Sequence, residues 1–147
     1  MDTIFWKKIN KEASIPRYET QGSAAVDLRI LLEDKKQVTL LPNESQIFGT
    51  GLAVEIPLGF VGLIVPRSGT GVLGLVIGNL VGVIDSDYRG EVKVCVWNRT
   101  NRNIELEHNF RYAQMLFLPV CQQKMVEVAF LRDTSRGERG FGSTGAY

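Results

Sequence analysis

Two aspartates, Asp85 and Asp87, are separated by a single residue in the segment GNLVGVIDSDYRGEV at residues 78–92. In an extended chain their carboxylates point to the same side, and in a turn they diverge. Asp and Ser also form hairpin turns through side-chain bonds to the backbone, so a purely structural role is open. The apolar approach LVGVI favours a chemical role, because partial burial would make Asp85 more basic, as a general base requires.

A second candidate is PRSG at residues 66–69, directly after the apolar run FVGLIV. The proline ends a strand, and Arg67 offers a fork of N–H donors. Ser68 and Gly69 add a hydroxyl and backbone amides that can surround a phosphate. An ordinary Ser-Gly turn with a solvated arginine explains the same residues, so this motif alone leaves both interpretations open.

Other conventional sites are disfavoured. GTGVLG at residues 69–74 matches the dinucleotide fingerprint, but a β-like run follows where that fingerprint needs a helix. The only histidine is His108, among polar residues, which leaves a Ser-His-Asp or Cys-His arrangement without a well-placed base. The spacing of Cys95, His108 and Cys121 resembles no zinc site.

The elements that must position these residues have a hydrophobic period of two. EVKVCVWN places Val92, Val94 and Val96 on one face, which is typical of a half-buried strand. Further predicted strands are QVTLLP, GLAVEIP, FVGLIVP, NIELEHN and KMVEVAFL, with MLFLPV as a central strand because it is apolar on both faces. Since no long helical period occurs, we predict an all-β fold with at most one short helix, which is a sandwich, a barrel or a jelly roll.

The chain ends in RGERGFGSTGAY at residues 136–147, which contains too little apolar surface to fold on its own. Apolar residues become rare after AFLRD, apart from Phe141. We therefore predict a β domain at residues 1–133 and a flexible C-terminal segment at residues 134–147 that becomes ordered on a partner.

Composition restricts the class of protein. The 147 residues fit one domain, and 17 Lys and Arg against 16 Asp and Glu leave a net charge of +1, which disfavours nucleic-acid binding through a broad basic face. Cys95 and Cys121 lie in apolar runs and are expected to be buried, reduced thiols. The start MDTIFWKKIN is not a secretory signal, and the most apolar window, residues 71–84, is too short to span a bilayer. We expect a cytoplasmic protein with no membrane or nucleic-acid partner.

Taken together, five segments resemble the homotrimeric dUTPase (dUTP pyrophosphatase) family. The resemblance extends from about Pro16 to Gly145, and the segments occur in the order found in that family. They are GSAAVDLR (22–29), PRSG (66–69), GNLVGVIDSDYRGE (78–91), RYAQM (111–115) and RGERGFGSTG (136–145). Any one could arise by chance, but five ordered matches hardly could.

The resemblance implies a β jelly roll that forms trimers, with three active sites built from neighbouring subunits and the C-terminal segment closing over a site as a lid. It also implies hydrolysis of dUTP to dUMP and pyrophosphate with Mg²⁺. That reaction limits uracil incorporation into DNA and supplies dUMP for thymidylate synthesis. By the same resemblance, Asp85 activates the water that attacks the α-phosphorus.

Roles for the phosphate side follow from the same resemblance. Asp27 matches the aspartate that holds the waters of the metal, consistent with the strong hydration of Mg²⁺, and Arg111 supports the phosphate side. The residues that match phosphate-binding positions are Arg67, Ser68, Gly69, Gln114 and Arg136.

Nucleoside recognition is implied in the same way. Asn79 matches an asparagine that reads uracil together with hairpin backbone groups, and Tyr88 matches a tyrosine that packs under the sugar and leaves no room for a 2′-hydroxyl. Phe141 would cover the base, where stacking is worth roughly 1–3 kcal/mol, or anchor in the groove of a neighbouring subunit. The other lid residues implied to bind substrate are Gly142, Ser143 and Thr144.

The chain departs from the family pattern in three places. Arg139 stands where glycine is common, and it could add a phosphate contact or stiffen the lid. TGVLGLVIG, the stretch directly after PRSG, lacks the lysine or histidine often found there, and Ala25 replaces a more usual glycine. None of these changes removes a residue of the implied mechanism.

Two alternatives remain at this point. A dCTP deaminase, possibly bifunctional, resembles the dUTPases in fold and has a PRS segment, but deamination needs an additional acid/base glutamate, for which Glu91 is the candidate. A jelly-roll interaction protein could instead retain a nucleotide pocket as a switch for partner binding.

Overall fold

The computed structural model describes residues 3–34 and 36–140, and the regular secondary structure of this part of the chain is β apart from one short helix. Its elements are β1 Phe5–Lys8, β2 Val26–Arg29, β3 Gln37–Leu40, β4 Ser45–Glu55, β5 Phe60–Pro66, α1 Ser68–Val72, β6 Leu75–Ile77, β7 Gly82–Ile84, β8 Glu91–Asn98, β9 Ile104–Glu107 and β10 Arg111–Pro119. The prediction of an all-β fold with at most one short helix is confirmed over these residues.

Two four-stranded sheets form the body of the protein. One has the order β1-β4-β8-β6, the other has the order β2-β10-β5-β7, and β3 pairs separately with β9. All of these pairs are antiparallel. Side chains from both four-stranded sheets form one core cluster, as in a jelly-roll sandwich.

The alternation along β8 determines which face meets the core. Val92, Val94 and Val96 are all buried, as the period of two predicted, while Lys93 between them is exposed. MLFLPV contributes residues 115–119 to β10, which lies between β2 and β5 in its sheet. The predicted central position is confirmed for β10 as a strand, but of these residues only Met115 pairs with both neighbours.

Two expectations about the later part of the chain are wrong. KMVEVAFL, residues 124–131, is not a strand, and the described residues after Pro119 are exposed. A strand needs a hydrogen-bonding neighbour, and this exposed segment belongs to none of the sheets that the described residues form. Cys121 lies in the same segment, so its thiol is exposed, whereas that of Cys95 is half-buried; both cysteines are free.

Asn98, at the end of β8, has a fully buried side chain. Its Nδ2 donates to the carbonyl oxygens of Leu40 and Leu41, each at 3.0 Å, and to that of Arg102 at 2.8 Å. Its Oδ1 accepts from the backbone N–H of Thr100 at 3.0 Å and from the Thr100 hydroxyl at 2.7 Å. One amide thus joins the end of β3 to the turn after β8.

We expect Asn98→Ala to lower the free energy of unfolding by about 3 kcal/mol, because buried carbonyl groups lose their donor. The measurement is urea unfolding, with a lower midpoint at an unchanged slope. Asn103→Ala is the matched control, since Asn103 is exposed. Equal midpoints for the two variants would contradict the role given to Asn98.

Across residues 3–34 and 36–140, no helix has the length and apolar character needed to cross a membrane.

Candidate active site

Asp27 is the centre of a cluster on the outward face of β2. Arg67 Nε donates to Asp27 Oδ1 at 2.6 Å, and an Nη of Arg111 donates to Asp27 Oδ2 at 3.1 Å. The Asp27 side chain is only 13% exposed, so both ion pairs are partly shielded from water. The carboxylate therefore holds two guanidinium groups, from β10 and from the residue after β5, in fixed positions.

Arg67 occupies the junction between β5 and α1. Pro66 ends the strand, Arg67 is still extended, and Ser68 begins the helix. The Arg67 carbonyl accepts from Gly71 N and from the Thr70 hydroxyl, both at 2.9 Å. These local bonds place Ser68 and Gly69 at the start of the helix, where the first backbone N–H groups have no helical acceptor.

Gln114 joins the same cluster from β10. It is in register with Asp27 on β2 and with Val65 on β5, and its Nε2 donates to the Pro66 carbonyl at 3.0 Å. A cavity of about 700 Å³ opens beside these residues. Its lining includes the predicted site residues Asp27, Arg67, Ser68, Gly69, Arg111 and Gln114. The structure thus brings six of the predicted positions together.

Asp85 lies elsewhere on the chain surface, directly after β7. Tyr88 N donates to the Asp85 carbonyl at 3.2 Å, so DSDY forms a turn rather than an extended segment. Asp85 borders a cleft of about 480 Å³ together with Leu58, Val83 and Asp87. The expectation that the apolar approach buries Asp85 is wrong for the single chain, because both Asp85 and Val83 are exposed.

Asn79 is exposed in the turn between β6 and β7, and the next residue has an unusual backbone. Leu80 has a φ of 64°, in the left-handed region, which costs a residue with a side chain roughly 1–2 kcal/mol. Leu80 N donates to Ile77 O at 3.0 Å, and Val81 N donates to Asn79 O at 2.7 Å. These two bonds hold the strained turn. No sequence motif indicated this turn.

Within one chain, Asp85 is remote from the cluster at Asp27. Ile84 pairs with Gly62, so Asp85 continues toward Val61, whereas Arg67 follows the other end of β5. Val61 and Arg67 are six positions apart (67 − 61), which is roughly 20 Å along a strand. The predicted base and the predicted phosphate donors therefore belong to separate surfaces of the single chain.

The C-terminal part of the predicted site is only partly described. Arg136 is exposed, and a short turn follows it, in which Arg139 Nε donates to the Arg136 carbonyl at 3.0 Å. Arg139 also contacts the Ser135 carbonyl. Four predicted site residues lie outside the described residues: Phe141, Gly142, Ser143 and Thr144.

A sequence model of one family, described as dUTPase, matches residues 11–145. The chain belongs to the dUTPase family. Among similar dUTPases are two proteins with the name deoxyuridine 5′-triphosphate nucleotidohydrolase. The protein of Idiomarina loihiensis is 46% identical over 140 residues, which cover 94% of this chain and 91% of the relative. The protein of Nautilia profundicola is 45% identical over 140 residues, covering 95% and 96% of the two chains.

Solved dUTPase structures share the fold. The dUTPase of Staphylococcus bacteriophage 80alpha, in complex with dUPNHPP, is 28% identical and superposes with a TM-score of 0.86, covering 99% of each chain. Its G164S mutant, with dUpNHpp, gives a TM-score of 0.85 at the same identity and coverage. The all-β fold predicted from strand periodicity, and the jelly roll that the resemblance implied, are therefore those of known dUTPases.

Glu91, the first residue of β8, makes contacts that the sequence did not indicate. Its Oε1 accepts from Gly51 N at 2.8 Å, and its Oε2 lies 3.5 Å from Lys93 Nζ. The bond to Gly51 connects the first residue of β8 to the irregular part of β4, where the register shifts between Gly49 and Ala53. A glutamate at the start of a strand was the only available signal, and many surface glutamates share it.

The buried phenol of Tyr112, near Glu91, is kept neutral by its surroundings. Burial raises the pKa of the Tyr112 phenol far above its usual range, and the charge of Glu91 raises it further. The Tyr112 hydroxyl donates to the Phe48 carbonyl at 3.3 Å. Tyr112 therefore serves as a neutral core donor that joins the two sheets.

Proposed function

We propose that this chain hydrolyses dUTP to dUMP and pyrophosphate, with Asp85 as the general base that activates water. The observation that carries the proposal is the cluster of Arg67, Arg111 and Gln114 around Asp27 at a cavity, in a chain of the dUTPase family. Transfer of a phosphoryl group depends mainly on alignment and charge neutralisation. This cluster offers both.

On the phosphate side, Asp27 preorganises the donors. It uses one carboxylate oxygen for each arginine, so Arg67 reaches the cavity in a fixed orientation. Only one N–H of the Gln114 amide is bonded to Pro66 O, which leaves the second for a phosphate oxygen. Ser68 and Gly69 contribute a hydroxyl and backbone amides, and Arg136 adds a further positive charge from the C-terminal segment.

The residues present fit Mg²⁺ bound through substrate and water. The described residues contain no group of three His, Cys, Asp or Glu side chains that could hold a metal ion. Mg²⁺ commonly keeps several waters and uses phosphate oxygens with one or two carboxylates. Asp27 is the carboxylate that would accept from such waters, since each of its oxygens retains a second lone pair. When bound, the ion neutralises charge on the triphosphate.

Nucleoside selection is assigned to the segment from residue 78 to residue 91. Asn79 and the backbone of the strained turn at Leu80 present fixed hydrogen-bonding groups for uracil. Cytosine places an amino donor where uracil has an acceptor, so buried polar groups would be left without partners. Tyr88 restricts the sugar to deoxyribose, because its ring occupies the space of a 2′-hydroxyl.

Trimerisation is supported by the outward face of the sheet β2-β10-β5-β7. Gly62 and Ile64 of β5 and Met115 of β10 face the core. The residues that alternate with them along each strand therefore face outward. In register across this outer face lie the pairs Leu63–Val83, Leu63–Leu116 and Val61–Leu118. We call these five residues the apolar outer face. Leucines and valines on both sides of one sheet require a cover on both sides.

The same sheet face contains both the apolar outer face and, at one corner, Asp27 and Gln114. A neighbouring copy on the apolar outer face would place its own surface beside this corner. We propose that the copy brings Asp85, Asn79 and Tyr88 of one subunit to Asp27 and Arg67 of another. Residues that lie roughly 20 Å apart within one chain would then meet across the interface between two chains.

The exposed segment at residues 120–131 supports assembly in the same way. Met125, Val126, Phe130 and Leu131 are 86%, 64%, 90% and 86% exposed. Such apolar side chains gain stability only against another surface. We propose that a neighbouring subunit supplies that surface, and that the lid at residues 134–147 thereby reaches a site other than that of its own chain.

We expect Leu63→Lys to convert the trimer to monomers and to abolish most dUTP hydrolysis, because three lysines would be desolvated in the interfaces. Sedimentation equilibrium measures the change, from about three times the chain mass of 16.4 kDa to the mass of one chain. Leu41→Lys is the control, since Leu41 is 54% exposed in the turn after β3. A trimeric, active Leu63→Lys protein would contradict the proposed interface.

The reaction itself is tested by pyrophosphate release from dUTP, UTP, dTTP and dCTP, with and without Mg²⁺. We expect rapid release from dUTP with Mg²⁺ and slow release in all other combinations. Ammonia release from dCTP at a rate comparable to pyrophosphate release from dUTP would instead establish a deaminase.

The deaminase alternative is not favoured. The relatives have the names of dUTP hydrolases, and the candidate acid/base Glu91 is engaged with Gly51 N and Lys93. The interaction-protein alternative stays a prediction.

The free thiols of Cys95 and Cys121 support a reducing, cytoplasmic location.

A further inference from the structure

Gly90 lies against the hydroxyl end of the Tyr88 ring. A Cβ atom on Gly90 would contact Tyr88 Oη and would lie 2.6 Å from Cζ and 3.0 Å from Cε2. These separations are shorter than van der Waals contact between carbon atoms. The present ring position and a side chain at residue 90 therefore exclude each other.

The backbone of Gly90 is not the reason for a glycine at this position. Among the described residues, the glycines with positive φ are Gly51, Gly59, Gly74 and Gly137. Gly90 is not among them, so a positive φ is not the reason for a glycine here. The three atoms nearest to a methyl group at this position would all belong to Tyr88, so the close approach of that side chain is the constraint at residue 90.

Hydrogen bonds hold both the hydroxyl group and the backbone of Tyr88. Tyr88 Oη donates to the Glu91 carbonyl at 2.9 Å, and Tyr88 N donates to the Asp85 carbonyl at 3.2 Å. Glu91 is anchored in turn to Gly51 N at 2.8 Å. Tyr88 remains 43% exposed and lines, with Asp85, a small cavity of about 190 Å³. The hydroxyl end of the ring thus packs against Gly90, and the exposed part of the ring is available to a ligand next to Asp85.

We infer that Gly90 is a positioning residue that sets the height of the Tyr88 ring and thereby the preference for deoxyribose over ribose. The inference rests on the proposed function, in which the ring packs under the sugar. A methyl group at residue 90 would displace the ring and break its bond to the Glu91 carbonyl. The site would then lose its fit to deoxyribose without gaining one to ribose.

The test uses kcat and KM for dUTP and UTP with the full chain and four variants: Gly90→Ala, Tyr88→Ala, their double variant and Gly22→Ala. We expect Gly90→Ala to lower the dUTP:UTP ratio of kcat/KM about tenfold, mainly through KM for dUTP. In the Tyr88→Ala background the methyl group meets no ring, so the second substitution should have no further effect. Gly22→Ala is the control, because nothing lies within 4 Å of its Cβ position.

Each other outcome is decisive. An unchanged ratio in Gly90→Ala, or an equal loss with and without the Tyr88 ring, overturns the role of Gly90 and leaves the proposed function intact. A wild-type chain that does not hydrolyse dUTP overturns the proposed function itself. If Gly90→Ala alone fails to fold by circular dichroism, folding of the double variant supports the ring contact, and a double variant that stays unfolded refutes it.

Discussion

Asp85→Asn should lower kcat for dUTP by about 10²- to 10⁴-fold, the usual contribution of a general base. The amide matches the carboxylate in size but cannot take a proton from water. Asp85 follows β7 in an exposed turn that makes its contacts through the backbone, so the exchange should leave the fold unchanged. The measurement is steady-state pyrophosphate release, together with the Kd of a non-hydrolysable dUTP analogue, which should change little.

Asp87→Asn provides the matched control two residues away. Asp87 is also exposed and borders the same cleft, so a general loss of negative charge would affect both variants equally. We expect kcat of Asp87→Asn to stay near the wild-type value. Near-normal turnover in Asp85→Asn would remove Asp85 from the role of base and would leave the cluster at Asp27 without a partner for the chemical step.

Deletion of residues 136–147 should lower kcat/KM for dUTP by about 10²-fold or more. Stacking of an aromatic ring on a base contributes roughly 1–3 kcal/mol, and the deletion also removes the Arg136 charge. The described hydrogen bonds of residues 136–140 go only to residues 134–136, so the body should keep its thermal unfolding midpoint and its mass in solution.

Removal of Ala146 and Tyr147 alone is the control for this deletion, since neither residue is assigned to substrate. Activity at the full level without residues 136–147 would refute the lid. A loss of trimer mass on deletion would show instead that the segment has a structural role, and the boundary between domain and lid at residue 134 would then be wrong.

Local chemistry explains why much of the fold could be predicted. In β8 the alternation of valine with polar residues is visible in the sequence, because each strand residue points to one of two faces and only one face meets the core. Pro66 and the residues after it marked the end of β5 for an equally local reason. KMVEVAFL has the same period but forms no strand, since a strand also requires a neighbour that the sequence does not specify.

The site was predictable by residue type and not by arrangement. Arg67, Ser68 and Gly69 could be singled out by residue type, because a guanidinium, a hydroxyl and backbone amides suit a phosphate, whereas Gln114 followed only from the resemblance to the dUTPase family. The carboxylate that holds Arg67, however, comes from β2, 40 positions earlier, and its contact depends on the register of β10. No local pattern encodes such a long-range pairing.

The sequence by itself determined the strand periodicity of β8 and the end of β5 at Pro66, and through the family resemblance it supplied the residues that we propose for the phosphate side. Only the tertiary structure decided that Asp85 and Arg67 lie at opposite ends of β5, and that Leu63 and Leu116 share an outward apolar face with Asp27. The physical reason is that antiparallel pairing between distant strands fixes which side chains become neighbours, and that pairing is a property of the whole sheet.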